Sequence, residues 1–295
     1  MKPAPTEVLA GYALDLALGD PRWLPHPVRA IGSLASALEG VLRRSGLPGR
    51  AAGAVFCAAV VSAAALAARL TSPWANVYWI YSLLSVRDLD RHAAAVVAEL
   101  ERGDLPAARR KLAMIVGRDT HALDETGILR AVLETVAENL SDGIVAPLFY
   151  LAAGGAPAMA AYKAVNTLDS MVGYRNARYR EFGWASARLD DAANFLPARL
   201  SALLVWIAAG VLGYDVRRSV AATLRDAHRQ PSPNSGYPEA AAAGALRVQL
   251  GGVNTYQGVV SRKAPLGDAV EPITRESWRK SRALLYTGAT LMVAG

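Results

Sequence analysis

The sequence predicts an all-α fold: a polytopic helical membrane protein with large helical loops on the cytoplasmic side. Hydrophobic residues make up 53% of its 295 residues and charged residues only 19%, a more apolar balance than most soluble proteins have. Several uncharged segments approach the length needed to cross a bilayer, and no alternation typical of strands is prominent. We therefore expect one membrane-embedded helical domain over residues 1–295, with an alanine-rich soluble enzyme as the alternative.

The apolar segments that carry the membrane prediction are 51–68, 70–86, 143–162, 200–214 and 283–295. The first two flank Arg69 and indicate a helical hairpin with Arg69 near its translocated tip. The first would be a helix of about 27 Å, a marginal span. The last two are too short to predict a span. The second contains the aromatic residues expected at a membrane interface, which are Trp74, Tyr78, Trp79 and Tyr81.

The segment 143–162 combines membrane length with helix-breaking residues. Two prolines and the pair Gly154–Gly155 interrupt it, and a straight helix seldom carries so many breaks. We expect a re-entrant or kinked hairpin that turns at Gly154–Gly155 and returns Lys163 to the same side as Asp142. A single kinked crossing is an equal alternative, because neighbouring helices can satisfy broken backbone groups in a membrane.

The distribution of charge predicts the location and excludes some partners. Arg69 alone lies in the turn of the expected hairpin, so the large polar regions should stay in the cytoplasm and the chain should be a multi-pass protein of the inner membrane. The net charge of +7 comes without a basic run interleaved with aromatic residues, so nucleic acid is not an expected partner. Because Cys57 is the single cysteine, a disulfide within the chain and a thiolate metal site are excluded.

An acidic stripe runs along the helix predicted for 124–142. Glu134, Glu138 and Asp142 lie within about 80° of each other around that helix, opposite a face of apolar residues. At a low-dielectric surface such a stripe needs a cation, and carboxylates together with substrate phosphates commonly bind Mg²⁺. A solvated helix face is the alternative.

A second polar cluster follows the apolar segment. Lys163, Asn166 and Ser170 share one helical face, with Asp169 at its flank. Lysine with amide and hydroxyl groups suits a phosphate-bearing ligand. Helix–helix hydrogen bonding in a membrane bundle, or a lysine anchored at the membrane surface, would explain the same residues.

Two further segments are candidates for ligand binding. The loop 19–32 places Asp20 and His26 among three prolines that restrict its backbone, which fits a binding loop and a rigid connector equally well. The segment 232–239, which contains Asn234, opens a helix whose free amides can receive phosphate, although ordinary capping explains it too. The sequence contains no zinc-binding spacing, Walker loop or dinucleotide fingerprint.

Several segments, in order from about Asp15 to Asp268, resemble one family. They include LALGDPRWLPHPVRAIG, SVRDLDRHAAAV, GRDTHALDETGILRAVLETVAENLSDGIVAPLFY, YKAVNTLDSMVGYRN, RLDDAANFLPARLSAL and PSPNSGYPEAAAAGAL. They are similar to the membrane-embedded adenosylcobinamide-phosphate synthases of cobalamin biosynthesis. The resemblance implies a ligase that forms an amide bond, with ATP as co-substrate and Mg²⁺ as cofactor. It would join adenosylcobyric acid, a corrinoid, to aminopropanol or its O-phosphate.

That reaction matches the polar residues described above. We expect catalysis from Glu134, Glu138, Asp169 and Lys163, and Mg²⁺ binding by Glu138, Asp142 and Asp169. Substrate and phosphate groups would be bound by Arg118, Asn139, Asn166, Ser170, Arg175, Asp20, His26 and Asn234. The active site would face the cytoplasm, where ATP is, with membrane lipids around the helices and a homo-oligomer left open. A non-enzymatic membrane signalling modulator or a small transporter is the alternative function.

Overall fold

The computed structural model describes residues 2–174, 176–256 and 258–295, which are mostly helical. The helices are α1 (Pro5–Leu18), α2 (Pro27–Leu42), α3 (Gly49–Thr71), α4 (Asn76–Leu83), α5 (Val86–Glu101), α6 (Leu105–Leu112), α7 (Glu125–Leu140), α8 (Ala146–Val172), α9 (Trp184–Ala193), α10 (Phe195–Val211), α11 (Val216–Asp226), α12 (Gly236–Leu246) and α13 (Arg275–Ala294). The strands are β1 (Leu250–Tyr256) and β2 (Val259–Leu266). A π-helical turn, Ser141–Val145, joins α7 to α8.

The chain is organised in two compact units, which are described separately. Unit 1 consists of Met1–Ser85 and Asp142–Phe195, and unit 2 of Val86–Ser141 and Leu196–Gly295. A single domain over residues 1–295 stays a prediction.

Helix α3 has the length of a membrane span. Its 23 residues extend about 35 Å, which confirms a long helix at 51–68. Phe56, Val60 and Ala64 are buried at helical spacing on the side that packs against α2, α8 and α9. The opposite side is also apolar but exposed, as at Leu66.

The segment 70–86 does not form one continuous helix, so the second long helix expected there is wrong; a return of this segment through a membrane stays a prediction. Turns occupy 72–75, and the backbone becomes extended at Leu84. Between them α4 has only eight residues, about 12 Å of helix, which is less than half of a bilayer core.

Two of the aromatic residues expected at an interface serve inside unit 1 instead. Trp79 and Tyr81 are buried. The Trp79 indole donates to the Thr71 hydroxyl at 2.8 Å, and the Tyr81 hydroxyl donates to the Gly19 carbonyl at 2.6 Å. These bonds satisfy the polar ends of both side chains, as buried aromatic residues require. Trp74, by contrast, is 94% exposed.

Helix α8 reverses direction at Gly154–Gly155, where the backbone leaves helical geometry. The rings of Tyr150 and Tyr162 stack with centroids 5.0 Å apart, and the Asn166 amide donates to the Asp142 carboxylate at 3.3 Å. Along an unbroken helix these pairs would be about 18 Å and 36 Å apart. The expected turn at Gly154–Gly155 is therefore confirmed. Its re-entrant course through a membrane stays a prediction.

Within the described residues, two helical stretches are long and apolar enough to cross a membrane, Gly49–Thr71 and Glu125–Val172, or three if α9 and α10 count as one broken span. The second stretch contains the reversal in α8, so its 48 residues do not form one rod. The expected segment 200–214 lies largely in α10. The segment 283–295 is the second half of α13, whose first turns carry charged residues.

Helices α7 and α12 form the buried centre of unit 2. Helix α7 packs against α5, α12 and α13. The small residues of α12 allow very close packing: a Cβ added at Gly244 would lie 2.3 Å from the carbonyl oxygen of Arg218 in α11. A helix rich in Ala and Gly can therefore be enclosed almost completely.

A two-stranded antiparallel sheet in unit 2 corrects the all-α prediction. Strands β1 and β2 pair with Leu250 opposite Leu266 and Tyr256 opposite Val259. Gly251–Gly252 have positive φ angles, and the register shifts there. A glycine-containing irregularity of this kind removes side chains from the alternation, so the pattern that would predict a strand was hidden.

Replacing Gly155 tests the reversal in α8. Its φ of 71° and ψ of −166° are essentially restricted to glycine, so Gly155→Ala should lower stability by about 1–3 kcal/mol. The measurement is the thermal midpoint of the purified protein in detergent. Gly40→Ala in α2 is the control, because nothing lies within 4 Å of its added Cβ and alanine is the better helix former. A Gly155 variant as stable as the wild type would contradict the glycine-dependent turn.

Candidate functional site

A buried polar cluster in unit 2 forms around the acidic side of α7. Glu134 is 2% exposed, and its carboxylate lies 2.5 Å from the Arg118 guanidinium. The same carboxylate accepts a 2.8 Å hydrogen bond from the Gly251 N–H, and Arg118 donates to the Asn254 side chain at 2.8 Å. Because these groups have left water, they need polar partners inside the protein. A solvated helix face, the alternative for the acidic stripe, is wrong at Glu134.

Glu239 and Lys263 belong to the same cluster, and the sequence analysis missed both. Glu239, in the first turn of α12, is 1% exposed. Among the described residues, no group reaches either of its carboxylate oxygens at full hydrogen-bonding geometry. Burial raises the pKa of Glu239 to about 8; the charges on Glu138 and Glu134 add to this rise, and Lys263 with the nearby Ser235 hydroxyl opposes it.

Lys263 lies on β2 and remains a cation. Burial lowers the pKa of its ammonium group, but the charges on Glu239 and Glu138 outweigh burial and raise that pKa overall. Glu239 had a signal in the sequence: the helix GYPEAAAAGAL has no polar face, so its one acid must be buried with it. Lys263 had none, because its strand was not predicted.

A second polar cluster, in unit 1, forms where the two arms of α8 meet. Asn166 donates to Asp142 at 3.3 Å and also hydrogen-bonds Asp190 of α9, which in turn interacts electrostatically with Asp169. One amide thus links two carboxylates that are distant in the sequence, Asp142 and Asp190. Asp190 is the residue that the structure adds to the predicted set.

Lys163 connects this second cluster to a cavity of about 370 Å³. It interacts electrostatically with Asp142 and Asp20. Lys163, Arg22 and Arg29 line the cavity together with Asp20 and His26. Three cationic side chains against one lining carboxylate suit an anionic ligand, phosphate above all.

The loop before α2 has a backbone held by side-chain contacts, which fits both a binding loop and a rigid connector. His26 accepts from the Val28 N–H at 3.3 Å through Nδ1, and its Nε2 lies 3.1 Å from the Asp20 carboxylate. Arg29 donates to the Arg22 carbonyl oxygen at 3.0 Å. Tyrosine hydroxyls of α4 donate to two further carbonyls of the loop. Asp20 and His26 therefore face the cavity from a constrained chain.

The other predicted binding residues lie elsewhere or make local contacts. Asn139 and Ser170 each donate to a backbone carbonyl one turn earlier in their own helix. Asn234 lies in unit 2, where the Arg199 guanidinium donates to its side chain at 3.5 Å. Arg175 lies outside the described residues.

Mg²⁺ fits the acids of unit 1 if a substrate supplies part of its coordination. Across residues 2–174, 176–256 and 258–295, no three His, Cys, Asp or Glu side chains are arranged to hold a metal ion. Mg²⁺ is usually bound by one or two carboxylates with substrate phosphates and water. Asp142 and Asp169 offer such oxygens, and Asp190 beside them has a buried Oδ1 without a hydrogen-bond partner. Glu138, the third predicted ligand, lies in unit 2.

Comparison with known proteins finds relatives along the whole chain. The family described as "CobD/Cbib protein" matches residues 8–285. The cobalamin biosynthesis protein CobD of Geobacter metallireducens is 49% identical over 99% of this chain and 96% of its own length, and that of Pelobacter propionicus is 47% identical over 99% and 94%. The cobalamin biosynthesis protein CbiB of Salmonella choleraesuis is 46% identical over 96% and 93%. No solved structure matches the chain.

Glu239→Gln should change how stability depends on pH. The folded carboxyl, with its pKa of about 8, keeps a proton that an ordinary glutamate, with a pKa of 4.5, has released. Between those pH values the folded state binds more protons than the unfolded state. The free energy of unfolding of the wild type therefore falls by about 1.4 kcal/mol for each unit by which the pH rises. Glutamine removes this contribution. The thermal midpoints of the two proteins should be close at about pH 4, and the midpoint of the variant should be the higher one above about pH 8.

The control for this pH series is Glu101→Gln at the exposed end of α5, which should follow the wild-type profile throughout. Parallel profiles for Glu239→Gln and the wild type would contradict a buried, protonated Glu239.

Proposed function

The chain belongs to the CobD/CbiB family, and from this premise we propose that it amidates adenosylcobyric acid with aminopropanol or its O-phosphate, using ATP and Mg²⁺. Membership confirms the resemblance found in the sequence and gives the chain a role in cobalamin biosynthesis. The reaction would take place at the cytoplasmic face of the inner membrane, where ATP is available. The membrane-length helices support a location in a membrane.

Amide formation from a carboxylate needs an activated acyl group. In the simplest route the terminal phosphoryl group of ATP passes to a carboxylate oxygen of the corrinoid, and ADP leaves. The amine nitrogen then attacks the acyl carbon, loses a proton, and displaces inorganic phosphate. The protein must bind the phosphates, offset their charge and accept the proton of the ammonium group.

The cationic cavity of unit 1 is the observation that carries the proposal. Lys163 and Arg22, which line it, would bind the triphosphate of ATP. Asp142 and Asp169 would hold Mg²⁺, which supplies neutralisation of phosphoryl charge when it is bound. Asn166 keeps Asp142 oriented through its hydrogen bond.

The acidic cluster of unit 2 provides candidates for the base. Glu134 is occupied by Arg118 and by the Gly251 N–H, so its predicted catalytic role becomes one of holding the cluster together. Glu138 and Glu239 are then the carboxyl groups that would surround an alkylammonium group, and Glu138 would accept its proton. Lys263 balances part of their charge.

Removing single acids should abolish the reaction without unfolding the protein. We expect Glu138→Gln and Asp169→Asn each to reduce cobinamide formation by at least about 100-fold, the usual contribution of an acid–base or metal-binding group. The assay supplies membranes carrying the protein with adenosylcobyric acid, aminopropanol phosphate, ATP and Mg²⁺. The exposed Glu101→Gln variant should retain wild-type turnover, and EDTA should stop the wild type. Wild-type rates in both acid variants would remove these site assignments.

Lys163 variants test which ligand occupies the cavity. Loss of a charge-assisted hydrogen bond to phosphate should raise KM for ATP in Lys163→Met by about tenfold or more. KM for the corrinoid should stay unchanged. Lys163→Arg keeps the charge and should recover part of the affinity. A rise in KM for the corrinoid instead would show that the cavity receives its carboxylate rather than the nucleotide.

A further inference from the structure

Helix α1 has the reverse polarity of a helix on a water-soluble protein. From Leu9 to Leu18 the exposed residues are all Leu or Ala, and Leu9, Leu14 and Leu18 are 55%, 37% and 52% exposed; Pro5 and Thr6, in the first turn, are exposed too. The buried side carries Tyr12 and Asp15. A soluble helix places its apolar stripe inside and its charges outside, whereas a helix in hydrocarbon turns its polar residues toward the protein.

The buried side of α1 packs against α4 inside unit 1. At the start of α1, Glu7 accepts a hydrogen bond from the Asn76 amide at 3.2 Å. In the middle, a Cβ added at Gly11 would lie 2.5 Å from the Ile80 side chain. Helices α1 and α4 therefore run in parallel at van der Waals distance. The leucine and alanine side cannot turn inward without breaking this packing.

Two exposed tryptophans mark the ends of α1. Trp74, 94% exposed, lies in the turn that leads into α4 at the Glu7 end, and Trp23, 78% exposed, follows the other end. The 14 residues of α1 extend about 21 Å, and tryptophan concentrates at both edges of the hydrocarbon layer. Helix α4, which packs against α1, also lies next to the end of the membrane-length helix α3, because the buried Trp79 of α4 donates a hydrogen bond to Thr71.

We propose that α1 is embedded in the membrane with Leu9, Leu14 and Leu18 against lipid acyl chains. Trp23 and Trp74 lie at the two edges of that layer, so the residues before Pro5 are on the same side of the membrane as the turn at 72–75. Acyl chains fit this surface because, from Leu9 to Leu18, its exposed side chains offer no charge or hydrogen-bonding group with which a protein partner could be selected. The proposal does not depend on the reaction catalysed.

Spin-label accessibility distinguishes lipid from water and from protein. In a Cys57→Ser background, nitroxides are attached at Leu9→Cys, Leu14→Cys and Leu18→Cys, and the full chain is placed in phospholipid nanodiscs. Collision rates are measured with oxygen, which concentrates in lipid, and with a water-soluble nickel chelate. Oxygen collisions should exceed nickel collisions several-fold at all three positions.

Two control positions calibrate this experiment. Met114→Cys, exposed in the turn after α6, should collide with nickel, and the buried Tyr12→Cys should collide with neither reagent. If a leucine variant fails to fold, Ala13→Cys and Ala17→Cys on the same exposed side replace it.

A high rate of collision with nickel at the α1 positions would place this helix in water and overturn the proposal. Low collision with both reagents, with broadening from a neighbouring label, would assign the surface to a second copy of the chain and also overturn it.

Discussion

Charges taken out of water need partners inside the protein, and this constraint organises the structure. Arg118 and Glu134 are both nearly inaccessible and lie 2.5 Å apart. Removing one member of such a pair commonly costs about 3–5 kcal/mol, because the other is left buried and uncompensated. Both members of the pair also hydrogen-bond to strand β1: Arg118 donates to the Asn254 side chain, and Glu134 accepts from the Gly251 N–H. Strand β1 is attached to α7 through these contacts.

The same constraint holds α5 to α13 in unit 2. Asp90 is 2% exposed, and both of its oxygens accept hydrogen bonds from Arg282, at 2.6 and 2.8 Å. The Tyr286 hydroxyl donates to the same carboxylate at 2.8 Å. A bidentate guanidinium–carboxylate contact restricts direction as well as distance, which suits a pair of helices that must keep their relative orientation around the acidic cluster.

Local patterns predicted the features that depend on neighbouring residues and failed for those that depend on distant ones. The turn at Gly154–Gly155 was predictable because the helix-breaking residues are adjacent in the sequence. The shortness of α4 was not, because Trp79 and Tyr81 bind partners inside unit 1 instead of facing a membrane interface. Lys263 was missed for a similar reason: it reaches the acids only because β2 pairs with β1.

The candidate site was predicted in parts rather than as a whole. The acids of α7 and the polar residues after the apolar segment were visible as helical faces. Asp190 joins Asn166 through packing of α9 on α8, and no spacing within one helix contains that contact.

The charge balance of the unit 2 cluster explains why it suits a cationic substrate. When ionised, Glu134, Glu138 and Glu239 carry three negative charges against two positive charges on Arg118 and Lys263. Since Arg118 is occupied by Glu134, Lys263 is left with two carboxylates. A buried excess charge costs several kcal/mol, so the cluster must either retain a proton or bind another cation. In the absence of ligand it retains a proton, as the pKa of Glu239, raised to about 8, indicates. An ammonium group would be such a cation: once bound, it takes the place of the retained proton as the positive charge beside the two carboxylates.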